Sequence, residues 1–290
     1  MGLRLKFNLV LVLVFSVGLA VSGYVFHELL HQNAKDEVLR SAGVMIEAAL
    51  SARVYTVGHV RPNLRVARSE FLPQSVPAFA ATEIMHELRK THPDYVYKEA
   101  SLNPTNPRNR ATEWEADIIS EFRNQREAKE ISGTRMTPSG PSMFLARPMQ
   151  IKEAACLSCH TTPDKAPAAM VKLYGPNNGY GWRLNEVIAA QIVSVPMAVP
   201  IAKANRAFYA FMASLAAVFV VLFVILNVML SLLIVRPIRT MSAAADKISV
   251  GAPDVPELNE AGHDEVALLA RSFNRMRRSL EKALSLMDDK

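Results

Sequence analysis

Two cysteines and a histidine form the most chemically specific pattern in this sequence. Cys156 and Cys159 are separated by two residues, and His160 follows directly. A C-x-x-C-H run is the sequence signature of covalent c-type haem attachment. The spacing suits this chemistry, because each thiol can bond to the same porphyrin while the adjacent imidazole binds the iron. The sequence therefore predicts one covalent haem c, held by Cys156 and Cys159, with His160 as the proximal iron ligand.

Other uses of a closely spaced cysteine pair fit this sequence less well. A redox-active dithiol needs a thioredoxin-like βαβ setting, which the proline-containing segment 161–167 does not offer. A tetrahedral zinc site needs further ligands, and the chain has only two cysteines. The remaining alternative is a chance occurrence of the pattern in an unrelated loop.

The sequence leaves the sixth ligand of the iron open. Histidines and methionines can both bind haem iron, and residues 27–206 contain His59, His86, His92, Met136, Met143, Met149 and Met170 as candidates. We favour His59, one helical turn after Tyr55, with an open coordination position as the alternative. Trp182, in a glycine-rich run, is a candidate for packing on the porphyrin or for an ordinary turn beside a core tryptophan.

Two long apolar runs without charges flank the segment that carries these residues. Residues 7–26 and 207–235 are each long enough to cross the ~30 Å hydrocarbon core as a helix. Arg4 precedes the first run and Arg236 follows the second, so the positive-inside rule places both flanks in the cytoplasm. A cleaved signal peptide is the alternative for the first run.

The predicted topology is a two-pass protein of a bacterial cytoplasmic (inner) membrane. Residues 1–6 form a cytoplasmic N-terminus, and residues 27–206 form a periplasmic or extracellular domain. This side of the membrane agrees with the cysteine motif, because c-type haem is attached outside the cytoplasm. Lysines and arginines outnumber acidic residues by only 33 to 27 and are spread along the chain, which argues against a nucleic-acid partner.

The exported segment is predicted to be an α+β domain, with helices around a small antiparallel sheet. We expect the first helix to continue out of the membrane until Arg61 and Pro62 end it. Pro148 and Pro196 favour edges or strand ends for the strands that contain them. Segment 103–106 is most simply a turn. Helices are predicted within residues 77–92 and 113–129, and strands near residue 96 and within 142–151 and 186–197.

The C-terminal segment carries an interrupted heptad pattern. The first apolar series is Ile238, Met241, Ala245 and Ile248, and the second is Val266, Leu269, Phe273, Met276, Leu280 and Ala283. Two short amphipathic helices of this kind cannot bury their apolar seams alone, so they need a partner. A plain dimerising coiled coil would show no connector between the two series.

This segment resembles a HAMP domain over residues 236–286, followed by a tail at 287–290. The resemblance lies in Pro237, the Val255-Pro256-Glu257-Leu258 connector and the Asp264-Glu265 pair. It implies a cytoplasmic helical bundle in which two chains form a homodimer and relay motion from a transmembrane helix to an output domain.

The exported segment resembles the haem-c-binding, PAS-like sensor domains that lie between two spans in bacterial signalling proteins. The similar stretches are 60–62, 76–82, 97–100, 103–106, the C-x-x-C-H run, 179–182 and 191–197. Some members of that group use a cysteine as distal ligand, and this sequence has none near Leu72 and Pro73, where it would align.

Together these features predict a membrane-anchored haem sensor that detects redox state or a small ligand and signals through the HAMP domain. No kinase, cyclase or methyl-accepting region precedes Lys290, so we expect a separate cytoplasmic signalling protein, such as a kinase or a chemoreceptor output, unless the reading frame is truncated. The main alternative is a membrane-anchored monohaem c-type cytochrome for electron transfer. A ligand sensor with a structural haem is a third. We recognise no catalytic constellation and expect no enzyme.

Overall fold

The computed structural model describes residues 2–67, 71–138, 140–252 and 255–288, and the chain divides into two compact units. One unit is Phe26–Phe208, and the other combines Met1–Val25 with Tyr209–Lys290. The helices are α1 (Leu3–Tyr55), α2 (Arg61–Ala67), α3 (Pro77–Thr91), α4 (Glu113–Asn124), α5 (Leu157–His160), α6 (Ala168–Tyr174), α7 (Ala198–Met229), α8 (Arg236–Ser249) and α9 (Glu265–Asp288). The strands are β1 (Val96–Ser101), β2 (Ile131–Thr137), β3 (Gly140–Gln150) and β4 (Val187–Pro196).

Within the described residues, the strands form one antiparallel sheet in the order β1-β4-β3-β2. The two strands that contain Pro148 and Pro196 are therefore central, although those prolines suggested an edge. Pro196 is the last residue of β4. Pro148 lies two residues beyond Ala146, the last residue of β3 that pairs with β2, so at this point β3 has only β4 as a neighbour. The local setting of each proline is thus the one expected for a strand end or an edge.

Helices cover both faces of the sheet, which confirms the predicted α+β class. Because side chains alternate along a strand, Val193 and Val195 of β4 pack against α1 and α3, while Ala190 and Ile192 face α4. The α1 side of the core contains Val38, Ala42, Met45, Ile46 and Ala49 from α1 and Ala81 and Met85 from α3. The α4 side contains Ile118, Ile119 and Phe122.

Two continuous helical segments are long and apolar enough to cross a membrane, and they flank this domain. They run from Leu3 to Leu64 and from Ala198 to Ser249. The N-terminal part of α1 exposes its apolar side chains, whereas its later part supplies core residues such as Ile46. A single helix thus leads from the first candidate span into the core of the α+β domain.

The expectation that Arg61 and Pro62 end the first helix is wrong. The helical path passes through a π-helical turn, Thr56–Val60, and continues as α2. A proline ring clashes with the carbonyl four residues earlier and cannot donate a hydrogen bond. The chain accommodates Pro62 by widening the preceding turn, where the Arg61 N–H donates to the Thr56 carbonyl five residues back.

A second π-helical turn has the same sequence context in the other unit. Leu230–Val235 lies directly before Arg236 and Pro237, and the Arg236 N–H donates to the Ser231 carbonyl. This turn joins α7 to α8, so the second helical path also continues past an Arg-Pro pair.

The C-terminal unit joins α8 and α9 through a connector that Asn274 holds in place. The Asn274 side chain is 1% exposed. Its amide oxygen accepts from the Leu258 N–H at 3.1 Å, and its amide nitrogen donates to the Leu258 carbonyl at 2.9 Å. Two hydrogen bonds between the Leu258 backbone and the Asn274 side chain therefore fix the connector to α9.

Candidate functional site

The cysteine motif lies on two consecutive short helical turns. Cys156 ends the 3-10 turn Ala154–Cys156, and Cys159 and His160 belong to α5. Both thiols are free and half-exposed. Cys156 packs against a small apolar cluster with Ile188 and Ala189 of β4. The motif is thus anchored on one side to the start of β4, while its thiols remain accessible.

Hydrogen bonding orients the imidazole of His160. Its Nδ1 lies 2.7 Å from the carbonyl oxygen of Gly179, so Nδ1 carries the proton and donates it. This leaves the lone pair of Nε2 available to bind a metal, the arrangement typical of metal-binding histidines. Burial lowers the pKa of His160, partly offset by the bond to Gly179, and therefore favours the neutral, ligating form of the ring.

Trp182 holds the same ring from its face. The indole and the imidazole are stacked, with centroids 3.9 Å apart and planes 10° from parallel. The Trp182 N–H also donates to the His160 carbonyl at 3.2 Å. The two residues selected from the sequence are therefore in direct contact, through both side chain and backbone.

The turn at 103–106 is part of this site, although its residue types alone indicated only a turn. The Asn103 amide oxygen accepts from the Gly179 N–H at 2.9 Å, and its amide nitrogen donates to the Tyr180 carbonyl at 3.0 Å. Gly179 has φ +83°, and a Cβ atom there would lie 2.1 Å from the Thr105 hydroxyl oxygen. Only glycine at position 179 therefore lets Thr105 approach this closely while the Gly179 carbonyl accepts the hydrogen bond from His160.

Burial and three charged side chains influence the pKa of the Cys156 thiol. Burial raises the pKa of the Cys156 thiol, and the negative charge of Glu153 adds to this effect. Arg61 and Arg53 act in the opposite direction, so both cations stand close enough for their charge to be felt at the thiol. The charges of one arginine at the end of α1 and one at the start of α2 therefore act on the thiol.

A buried polar network ties this end of α1 to the sheet. Arg53 pairs with Glu99 of β1 at 2.8 Å, and the Glu99 side chain is only 3% exposed. The Tyr97 hydroxyl donates to Glu99 at 2.9 Å and accepts from the Gln191 amide at 2.9 Å. One chain of hydrogen bonds thus connects α1, β1 and β4.

His59, the favoured distal ligand, lies in the π-helical turn. Its ring is exposed and stacks on Tyr55, with centroids 5.1 Å apart. Across the described part of the chain, His59 makes no hydrogen bond or ring contact with the cysteine motif. Its neighbour Arg61 is close enough to influence Cys156, as shown above. The assignment of His59 stays a prediction, as do the roles of Cys156, Cys159, His160 and Trp182 toward a porphyrin.

The described residues provide no donor set for a tetrahedral zinc site, the alternative use of the two cysteines. Among residues 2–67, 71–138, 140–252 and 255–288, no three His, Cys, Asp or Glu side chains converge as metal ligands. Two free thiols beside one oriented imidazole fit covalent haem attachment better than they fit a four-ligand site.

Comparisons with known proteins agree with this organisation. The Tll0287-like family model matches residues 31–196, and the HAMP domain model matches residues 229–282. A solved structure titled "Crystal structure of the cyanobacterial heme-protein Tll0287" is 18% identical, with a TM-score of 0.41, over 55% of this chain and 95% of that chain. A comparison with curated protein sequences gives no match. The family matches confirm the order recognised in the sequence, a PAS-like domain followed by a HAMP domain, and the chain belongs to the Tll0287-like family.

Proposed function

We propose that this protein is a two-pass sensor of a bacterial inner membrane that carries one covalent haem c in its periplasmic or extracellular domain. It passes a change in redox state or ligation inward through its HAMP domain. The presence of a HAMP domain supports a role in signal transduction. Tll0287, after which the family is named, is described as a heme-protein.

The residues of the motif suit this cofactor. Cys156 and Cys159 would form the two thioether bonds, and Nε2 of His160 would bind the iron while Gly179 and Trp182 fix the ring. The haem would supply an iron that can change its oxidation state or its bound ligand. The chain supplies the rest: a neutral imidazole, a fixed ring plane and an apolar anchor at the start of β4.

The observation that carries the proposal is the path of β4. Ile188 and Ala189, near the beginning of the strand, pack in the cluster that contains Cys156 and Trp182. Pro196 ends the strand, and α7 begins two residues later at Ala198 and leads into the second candidate span. A displacement at the motif can therefore reach a transmembrane helix through a single strand.

The apolar seam of α9 supports a homodimer. Leu269, Met276 and Leu280 are 53%, 62% and 46% exposed in the single chain. Side chains of this kind at heptad spacing are buried when a second chain packs against them. We propose that this homodimer signals to a separate cytoplasmic protein, such as a kinase or a chemoreceptor output, and that the chain itself has no catalytic role.

Covalent attachment is tested by replacing both thiols. The Cys156→Ala/Cys159→Ala protein is expected to lose haem staining after denaturing electrophoresis, whereas the wild type retains it. Ser158→Ala is the matched control, because Ser158 is exposed between the two cysteines and, among the described residues, its hydroxyl bonds only to its neighbours, the Ala155 carbonyl and the Cys159 thiol. Equal staining of the double variant and the wild type would contradict the proposal.

Signalling is tested by measuring distances within the dimer. A spin label at Asp246→Cys, on the exposed side of α8, reports the separation of the two chains with the haem oxidised and then reduced. The sensor hypothesis predicts a redox-dependent shift in this distance, absent when Cys156 and Cys159 are also replaced by alanine. An unchanged distance together with rapid electron exchange with an added partner would favour the electron-transfer alternative.

A further inference from the structure

A second concave site lies on the face of the sheet that is turned toward α4. It encloses about 420 Å³, within the range typical of small-molecule sites. Its walls include Ile192, Ser194 and Pro196 from the final part of β4, Trp114 from α4 and Arg135 from β2. Neither the cysteine motif nor the residues that orient it line this cavity.

The positions of the residues along β4 show that this cavity is separate from the cysteine motif. Ile188 and Ala189 pack beside the motif, and neither lines the cavity, whose wall takes Ile192 as its first residue from this strand. Ala189 also lies near the start of β4, whereas Ser194 and Pro196 lie at its end. The two sites thus occupy opposite halves of the same strand.

Arg135 gives the cavity an uncompensated positive charge. Its guanidinium carbon lies 4.0 Å from the centroid of the Trp114 ring, a close cation–π contact. In the described part of the chain Arg135 has no ion pair with an acidic side chain. Lys98, the other half-buried cation in the wall, is by contrast neutralised by Glu115 at 2.7 Å. Arg135 is therefore the half-buried cation that remains available for an anionic ligand.

The rest of the wall combines hydroxyl groups with apolar surface. Thr137 and Ser142 place their hydroxyl oxygens 3.4 Å apart at one side. Val96 and the Trp114 ring provide apolar area, while exposed Arg89 and Asp94 stand at the rim. A guanidinium presents paired N–H groups that match a planar carboxylate, and nearby hydroxyls can complete its hydrogen bonds.

We propose that this cavity binds a small organic carboxylate, with Arg135 as the group that recognises the carboxylate and Trp114 holding the guanidinium in place. The inference goes beyond the proposed haem function, because it gives the domain a second input. Ser194 and Pro196 line the cavity and directly precede α7. An occupant of the cavity therefore contacts the same strand end that would carry a change from the cysteine motif.

Thermal unfolding of the full-length protein in detergent tests the proposal. The probes are sodium benzoate, sodium succinate and sodium pyruvate, each up to about 10 mM, with neutral benzamide as the control for benzoate. At least one carboxylate is expected to raise the melting temperature in a saturable way, and benzamide is not. Failure of all three carboxylates would overturn the proposal.

Variants locate the binding. Arg135→Gln is expected to weaken carboxylate binding by about tenfold or more, since it removes the charge from the cavity. Arg126→Gln is the matched control, because Arg126 is exposed and lies outside the cavity wall. Ser194→Leu, which fills the cavity without changing its charge, should also abolish binding. Unchanged affinity in Arg135→Gln would contradict the assignment.

Carboxylate binding at this cavity is expected to be independent of haem attachment. The Cys156→Ala/Cys159→Ala protein should bind the carboxylate as the wild type does, since the two sites share no lining residue. Loss of haem staining with retained carboxylate binding would separate the two proposals, and loss of carboxylate binding in this variant would overturn their independence.

Discussion

The imidazole of His160 stacks on the indole of Trp182 with the two ring planes only 10° apart. The stacking occupies one face of the imidazole, while Nδ1 is held by the Gly179 carbonyl, so two independent contacts fix the orientation of the ring. Trp182 is thus a positioning residue for the proposed iron ligand. Its packing against a porphyrin stays a prediction.

Gly179 provides a test of this positioning. Gly179→Ala is expected to destabilise the domain by about 2 kcal/mol or more, because its Cβ would collide with Thr105 and its φ of +83° is unfavourable for alanine. Gly175→Ala is the matched control, since Gly175 has the same φ of +83° but open space around its Cβ position. Chemical denaturation measures both, and equal losses would show that backbone strain alone accounts for the effect.

The Arg53–Glu99 pair is expected to contribute to stability through its burial. Arg53→Gln should cost about 3 kcal/mol, because it leaves the buried Glu99 carboxylate without its cation. Arg40→Gln breaks an exposed ion pair, in which an Arg40 guanidinium nitrogen lies 3.9 Å from a Glu37 carboxylate oxygen. This change should lower the free energy of unfolding by less than about 1 kcal/mol. Denaturant unfolding of the two variants measures the difference, and a double variant with Glu99→Gln should lose less than the sum of its single changes.

Tyr97 predicts how stability depends on alkaline pH. Burial, followed by the charge of Glu99, raises the pKa of Tyr97 well above its ordinary value of 10.0. The unfolded protein therefore loses the Tyr97 proton at a lower pH than the folded protein does. The contribution of Tyr97 to the free energy of unfolding is complete below pH about 10 and is lost as the pH rises further. Tyr97→Phe should therefore lose less stability than the wild type between pH about 10 and 12, measured by denaturant unfolding at each pH. The exposed Tyr55→Phe should retain the wild-type slope.

His59 can be tested by absorption spectroscopy with carbon monoxide. If His59 is the sixth ligand, His59→Ala is expected to change the haem spectrum and to admit carbon monoxide that the wild-type reduced protein resists. His86→Ala, an exposed histidine on α3, should change neither property. Ready binding of carbon monoxide by the wild type would instead indicate an open iron and favour gas sensing over redox sensing.

Local patterns predicted most elements of the fold but missed β2. The helices α3 and α4 and the strands β1, β3 and β4 lie where the apolar periodicity indicated. β2 contains Gly133 and Arg135 on its buried side and lacks an apolar run. The structure explains the glycine, because a Cβ at Gly133 would lie 2.9 Å from the Phe144 ring. Packing against Phe144 of the neighbouring strand therefore requires glycine at position 133, and this glycine interrupts the apolar alternation from which β2 could have been predicted.

The site was predicted only as far as its local spacing. Cys156, Cys159 and His160 lie within five consecutive positions, and the motif therefore identifies them directly. The contacts of Asn103 and Thr105 with Gly179 join residues more than 70 positions apart. No periodicity within one segment encodes such a contact, so it became visible only in the folded chain.

The two π-helical turns link the length of the long helical paths to the prolines that follow them. Such a turn holds one residue more than the α-helical turn it replaces, as a single-residue insertion would. Deleting one residue within Leu230–Val235 would leave the flanking helices in phase, but it would restore a regular turn in which the Pro237 ring meets the carbonyl four residues earlier. The same deletion within α7 would rotate every later side chain by about 100°. The length of each helical path is thus tied to the proline that follows its π-helical turn, and a one-residue deletion in either turn is expected to be tolerated only when that proline is replaced as well.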